Sequence, residues 1–124
     1  MLLILCVDLD DDLGRKTGIK TPVIGRQAVE SAALALAIED PTDTDGNVMF
    51  QGLQLYEKTL PDSVEIAVVT GSARGDMAAG RKIGEEIEEV LNRMFSGEKV
   101  RTVVVTDGAQ DESVMPIIRS RVEI

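Results

Sequence analysis

The sequence predicts an α/β fold, a three-layer Rossmann-like sandwich with a mainly parallel sheet of about four strands. Continuous apolar runs, which are typical of strands buried on both faces, occupy residues 2–7, 64–70 and 100–106. Segments with helical periodicity separate these runs, and helical crossovers between strands favour parallel pairing. A fourth, short strand is predicted at residues 121–124, where an exposed edge could pair with its mate in a homodimer.

Helices are predicted between and after these strands from apolar periodicity, capping residues and stop signals. The expected boundaries are residues 26–38, Asp45 to Pro61, Asp76 to Gly97, and a short helix within residues 111–120 that Ser113 caps. Asp45 and Asp76 are the expected N-caps of the second and third of these helices.

The size and composition of the chain exclude several classes of function. At 124 residues it fits a single domain, residues 1–124. A formal net charge of −9 repels phosphate backbones, so nucleic acid is not an expected partner. The absence of His excludes Ser-His and Cys-His nucleophile pairs and His-ligated zinc. Cys6, the single cysteine, can form no intramolecular disulfide, which fits a reducing, cytoplasmic location.

Acidic residues follow two of the predicted strands. Asp8 and Asp10 point to the same side of an extended segment, and Asp107 and Asp111 follow the third apolar run. Because ligands bind beyond the carboxyl ends of parallel strands, these four residues are the predicted ligands of Mg²⁺ or another divalent cation. The alternative is that such acids only cap loops and helices. That second role is the one expected for Asp11, Asp12 and Glu112.

A glycine-rich loop, TGSARGD, follows the second predicted strand and could hold an anion through backbone N–H groups and the start of the next helix. The candidate phosphate ligands are Thr70, Gly71, Ser72, Arg74, Arg15 and Lys16. The loop matches neither a Walker A nor a GxGxxG motif, and a plain turn entering a helix explains it equally well. Arg15 and Lys16 could instead neutralise the acidic residues that precede them in the chain. A small phosphorylated ligand is the partner that these residues favour.

Several segments follow one another in a specific order, among them LCVDLDDDLGRKTGIKTPVIGR, DPTDTDGN, GRKIGEEIEEVL and TDGAQDESVMPIIRSRV. With these segments the chain resembles the N-terminal domain of an archaeal family, domain of unknown function 373. The resemblance implies a cytosolic domain that precedes a multi-helix membrane region and has no established activity. The chain has no run of about 18 apolar residues, so membrane contact is expected only through a C-terminal region absent from this chain.

Shorter motifs are similar to those of haloacid-dehalogenase-like phosphohydrolases. This similarity implies a Mg²⁺-dependent phosphohydrolase or phosphotransferase in which Asp8 is the nucleophile and Asp10 the general acid/base. The other matching residues are Thr70, Asp107 with Asp111, and Lys82 or Lys99 as the basic residue. The chain departs from that pattern at Asp12, where those enzymes have Thr or Val.

The sequence therefore supports two hypotheses of different classes. The favoured one is a cytosolic ligand-binding or regulatory domain with an acidic divalent-cation site, and the alternative is a phosphate-transferring enzyme that uses Asp8. Whether the chain is catalytic is left open by its residues.

Overall fold

The computed structural model describes residues 1–94, 99–108 and 112–124. Strands and helices alternate along these residues. Their bounds are β1 (Leu2–Asp8), α1 (Asp12–Thr17), β2 (Val23–Ile24), α2 (Arg26–Glu39), α3 (Thr44–Thr59), β3 (Val64–Thr70), α4 (Asp76–Met94), β4 (Arg101–Val105) and α5 (Met115–Arg119). None of the helices in these residues is long and apolar enough to cross a membrane.

The strands form a four-stranded mixed sheet in the order β2-β3-β1-β4. β1 runs parallel to both β3 and β4, whereas β2 is antiparallel to β3. The sheet is therefore mixed, and not mainly parallel as the sequence predicted. The fourth strand is β2 and not residues 121–124, which contribute one isolated bridge between Arg101 and Glu123. A strand of two residues, enclosed by Pro22 and Gly25, is too short to show any alternation in the sequence.

Helices lie against both faces of this sheet because the side chains of β1 alternate between two apolar clusters. Ile4 and Cys6 pack with residues of α2 and α3, such as Leu36 and Met49. Leu3, Leu5 and Val7 pack on the opposite face with residues of α4 and α5, namely Ile83, Ile87, Val90 and Ile118. β1 is thus an interior strand that is buried on both faces from Leu3 to Asp8, which explains its apolar run.

The helix boundaries agree with the sequence in part. α2 ends one residue beyond its predicted limit. α3 begins at Thr44, where the side chain of Asp43 caps it by accepting a 2.9 Å hydrogen bond from the Asp45 backbone N–H. The expectation that Asp45 is the cap is wrong, because its neighbour occupies that position and Asp45 turns inward as part of the first turn.

Two other predicted caps are wrong. α4 begins at Asp76, which is therefore a residue of its first turn and not the N-cap before it, and the predicted stop, Gly97, lies outside the described residues. α5 begins after Val114 with Pro116 in its first turn, so Ser113 is not its cap. Proline is compatible with that position because the first helical N–H groups have no partner within the helix.

One short helix, α1, is absent from the sequence prediction. Asp11 caps it from a left-handed backbone conformation (φ 58°) and accepts a 3.0 Å hydrogen bond from the Gly14 N–H. Six residues are too few for a periodic apolar face, so only the acidic run before it could indicate this helix.

Candidate functional site

The loops that follow β1 and β3 are joined by backbone hydrogen bonds. The Gly71 N–H donates to the Asp8 carbonyl at 2.8 Å, and the Ser72 N–H donates to the Leu9 carbonyl at 2.9 Å. A Cβ atom at position 71 would lie 1.9 Å from the Leu9 carbonyl oxygen, so only glycine permits this approach. The two strand ends therefore present one continuous surface.

Four aspartates converge at this end of the sheet, and we call them the acidic cluster: Asp8, Asp10, Asp12 and Asp45. One carboxylate oxygen from each lies within 4.8 Å of the others. Asp8 and Asp45 are 2% and 5% exposed, whereas Asp10 is exposed to solvent. Because carboxylate oxygens at this separation suit a hard divalent cation, the cluster is a candidate metal site.

Asp8 is held rigidly at the base of the acidic cluster. Its Oδ1 accepts a 3.1 Å hydrogen bond from the Asp12 N–H, and its Oδ2 accepts a 2.9 Å bond from the Leu13 N–H. Burial raises the pKa of Asp8 to about 7; these hydrogen bonds oppose the shift, and the nearby Asp10 adds to it. A substantial fraction of Asp8 therefore carries a proton at neutral pH when no cation is bound.

Asp45 reaches the acidic cluster from the first turn of α3. Burial raises its pKa to about 10, and the charge of Asp8, a hydrogen bond with Asp12 and the charges of Asp107 and Asp43 add to the shift. The pKa of Asp12 is also raised, first by burial. Protons therefore offset the mutual repulsion in the cation-free cluster, and a divalent cation can replace them.

Two basic residues of α1 contact different acids. The Arg15 guanidinium forms a salt bridge with Asp12 and lies 3.7 Å from an Asp10 oxygen. Lys16 instead binds Asp40 at 2.7 Å and Asp43 at 2.6 Å, so it ties α1 to the loop before α3. Lys16 holds the pKa of Asp40 below its usual value. As a consequence, Arg15 faces the acidic cluster and Lys16 does not.

The structure brings together some of the sequence-predicted metal ligands and adds two others. Asp8 and Asp10 belong to the acidic cluster. Asp107 lies beside it and accepts a 2.5 Å hydrogen bond from the Thr44 hydroxyl, while Asp111 lies outside the described residues. Sequence reasoning assigned the two added members, Asp12 and Asp45, to loop and capping roles. The available signal for Asp12 was the acidic run after β1, and that for Asp45 was the acidic stretch DPTDTDGN, but only the packing of α3 on the sheet brings Asp45 to β1.

A cavity of about 290 Å³ opens next to the acidic cluster. It is lined by Asp11, Arg15, Gly71, Ser72, Ala73, Arg74 and Lys82. Three of the loop N–H groups are already used, because those of Gly71 and Ser72 bind backbone carbonyls and that of Arg74 binds the Ser72 hydroxyl oxygen. A bound anion would therefore be held mainly by side chains and not by these backbone groups.

A buried polar network lies behind this cavity. The Thr70 side chain is fully buried, and its hydroxyl is 2.7 Å from that of Thr21. The Lys82 ammonium donates to the Thr70 hydroxyl and lies 2.9 Å from a Glu86 oxygen. The other Glu86 oxygen accepts from the Thr70 N–H at 2.9 Å. Thr70 therefore fixes the position of the Lys82 ammonium through a hydrogen bond and is not among the residues that line the cavity.

Comparison with protein families matches residues 1–124 to "Domain of unknown function (DUF373)". The chain belongs to this family. An uncharacterized protein of Archaeoglobus fulgidus is 43% identical over 124 residues, which are 98% of this chain and 35% of that protein. An uncharacterized protein of Methanocaldococcus jannaschii is 30% identical over 122 residues, which are 96% of this chain and 32% of that protein.

The chain spans about a third of the length of these DUF373 relatives. No solved structure matches it. The similarity to haloacid-dehalogenase-like enzymes has no support among these matches. The family description names no ligand or activity, so the function of this DUF373 domain has to be argued from its own geometry.

The raised pKa values predict that the cation-free DUF373 domain loses stability as the pH rises. The ordinary aspartate pKa is 3.8, whereas folding raises that of Asp8 to about 7 and that of Asp45 to about 10. Above about pH 4 the folded state therefore binds more protons than the unfolded chain, and its stability falls as these two groups are titrated. We expect the melting temperature to decrease between about pH 5 and about pH 9.

Calorimetry at constant ionic strength with a chelator present measures this dependence. Asp40, whose pKa is lowered, adds no slope in this range because it is ionised in both the folded and the unfolded states. A melting temperature that stays constant or rises across the range would contradict the assignment of raised pKa values to the acidic cluster.

Proposed function

We propose that this DUF373 domain is a ligand-binding or regulatory module that binds a divalent cation, with Mg²⁺ as the first candidate. The observation that carries the proposal is the acidic cluster, in which two buried and two more accessible aspartates bring oxygens within 4.8 Å of one another. Mg²⁺ takes a few carboxylate oxygens and keeps several waters, which the exposed side of Asp10 allows.

The geometry of Asp8 favours binding over catalysis. An enzyme of the kind implied by the phosphohydrolase similarity needs an Asp8 oxygen that a substrate phosphorus atom can approach. Asp8 is 2% exposed, which limits that approach. Its two backbone hydrogen bonds fix the carboxylate and leave a lone pair on each oxygen, which suits a fixed cation ligand. Turnover of small phosphates by the wild-type protein with Mg²⁺, abolished by Asp8→Asn, would instead favour the enzyme.

A Mg²⁺ titration of the melting temperature, supported by isothermal calorimetry, tests the proposal. We expect saturable stabilisation of the wild-type protein, reaching about 2.7 kcal/mol at a hundredfold excess over Kd. Asp10→Asn removes a ligand whose side chain is largely exposed, so the fold should persist while Mg²⁺ affinity falls by about tenfold or more.

Asp62→Asn is the matched control, because Asp62 is exposed and lies outside the acidic cluster. It removes the same charge from the surface and should leave the Mg²⁺ response unchanged. Equal responses of the wild-type protein and both variants, or no response of the wild-type protein, would contradict a specific cation site.

The wider context of the domain is also a proposal. The helices on both faces of the sheet and the central position of β1 support a Rossmann-like layering. A cytoplasmic location and a place in a longer membrane protein stay predictions, as does a homodimer. The acidic surface charge supports the expectation that nucleic acid is not a partner.

A further inference from the structure

Basic side chains gather around the cavity of about 290 Å³ beside the acidic cluster, although the chain as a whole has a formal net charge of −9. We call this the anion cavity. Arg15, Arg74 and Lys82 line it, and among the described residues Asp11 is the carboxylate that lines it with them. Three cationic side chains around one cavity of an acidic protein offer donors to an anionic ligand at this point on the surface.

The three cations differ in how far their charge is already neutralised. Arg15 pairs with Asp12, and Lys82 pairs with Glu86 at 2.9 Å and lies 3.9 Å from Asp11. Arg74 forms no salt bridge with any carboxylate of the described residues, and it is exposed at the mouth of the loop. Among the described residues, Arg74 is therefore the cation of the anion cavity whose guanidinium is left available to a ligand.

We propose that the anion cavity binds the phosphate group of a small phosphorylated molecule. Arg74 and Arg15 supply planar guanidinium donors, and the Ser72 hydroxyl supplies a further donor around the same space. Lys82 adds positive charge at the wall of the cavity, while its N–H groups are bonded to Thr70, Thr21 and Glu86. A phosphate presents oxygens in several directions and can use donors that converge in this way, whereas a carboxylate presents two oxygens in one plane. The cation proposal and this one rest on different residues.

A second cavity, of about 410 Å³, adjoins the first and has room for the organic part of the ligand. The two share Asp11, Arg15 and Lys82 in their linings. The second also contains Ile19, an apolar side chain, and Lys20, a further cation. Ligand pockets usually combine apolar surface with a few polar groups that fix orientation. The position of these residues therefore favours a phosphorylated small molecule over inorganic phosphate alone.

Titration with inorganic phosphate tests the site, with a chelator present and ionic strength held constant. We expect saturable binding by the wild-type protein in calorimetry or NMR. Arg74→Gln removes an exposed charge and should weaken phosphate binding by about tenfold, the effect of losing one charge-assisted hydrogen bond. Arg81→Gln is the matched control, because Arg81 is also exposed on the nearby helix α4 but lines neither cavity.

The outcomes separate this proposal from the cation proposal, since no divalent cation is present in the titration. Failure of the wild-type protein to bind millimolar phosphate saturably would overturn it, and so would an equal loss of affinity in the two variants. In a second arm, adenosine monophosphate should bind more tightly than phosphate, and Lys20→Gln should reduce that advantage. Equal affinities of the two probes would overturn the extension into the second cavity.

Discussion

Asp45→Asn is expected to raise the melting temperature of the cation-free protein and to abolish its stabilisation by Mg²⁺. At pH 8 the folded protein must keep a proton on Asp45, whose pKa is raised to about 10, whereas the unfolded chain has released it. Asparagine has nearly the same shape and does not titrate. The expected gain is on the order of 1 to 2 kcal/mol after allowance for solvent screening, or several degrees.

The same substitution removes a buried carboxylate oxygen from the acidic cluster. Stability and cation binding should therefore change in opposite directions, which is the relation expected where a site keeps like charges together for function. Thermal melts of both proteins at pH 5 and pH 8, with chelator or with Mg²⁺, measure the two effects. The advantage of the variant should grow with pH, because the contribution of Asp45 to the loss of stability, which arises as the unfolded chain releases a proton that the folded state keeps, is absent from the variant, whereas that of Asp8 is common to both proteins.

Asp62→Asn serves again as the control for loss of one negative charge, and its cation-free melting temperature should stay close to that of the wild-type protein. An Asp45→Asn protein that melts at a lower temperature and still gains stability from Mg²⁺ would show that Asp45 has only a structural role. The acidic cluster would then lack its ligand from α3.

Gly71→Ala should destabilise the domain by about 3 kcal/mol or more. The added methyl group would lie 1.9 Å from the Leu9 carbonyl oxygen and 2.8 Å from the Ala79 Cβ, so the two loops must separate. Separation would also weaken the backbone hydrogen bonds from Gly71 to Asp8 and from Ser72 to Leu9, each of which contributes about 1 kcal/mol. The melting temperature should fall by about 10 °C.

Gly46→Ala is the matched control for Gly71→Ala. A Cβ atom at position 46 meets no atom within 4 Å, and alanine is the better helix former in α3, so this substitution should be neutral or slightly stabilising. Chemical unfolding of the two variants measures the difference. Similar unfolding free energies for Gly71→Ala and the wild-type protein would mean that the two loops are not held at the distance described.

The parts of the fold that are visible in the sequence are those with long, uniform patterns. β1, β3 and β4 are mostly apolar over five to seven residues, and α2 and α4 extend over enough residues to show helical composition or a periodic face. Two short elements, α1 and β2, give no such signal. The antiparallel pairing of β2 with β3 depends on how the chain returns to the sheet, which local patterns do not encode.

The candidate site was predictable to the extent that it lies at a strand end. Asp8 and Asp10 could be identified because an acidic run directly follows a buried strand. Asp45 could not, because it is 37 residues further along the chain and is brought to β1 only by the packing of α3 on the sheet. Its signal in the sequence was ambiguous, since Asp43 and Asp45 are both good N-cap residues.

Arg15 would place the two proposed ligands in a thermodynamic linkage. Its guanidinium contacts Asp10 and Asp12 in the acidic cluster and also lines the anion cavity. A divalent cation would compete with Arg15 for those oxygens and leave the guanidinium available to a phosphate. Each ligand would then increase the affinity for the other by the same factor, because coupling between two binding equilibria is reciprocal. A domain with this arrangement responds most strongly when both ligands are present together.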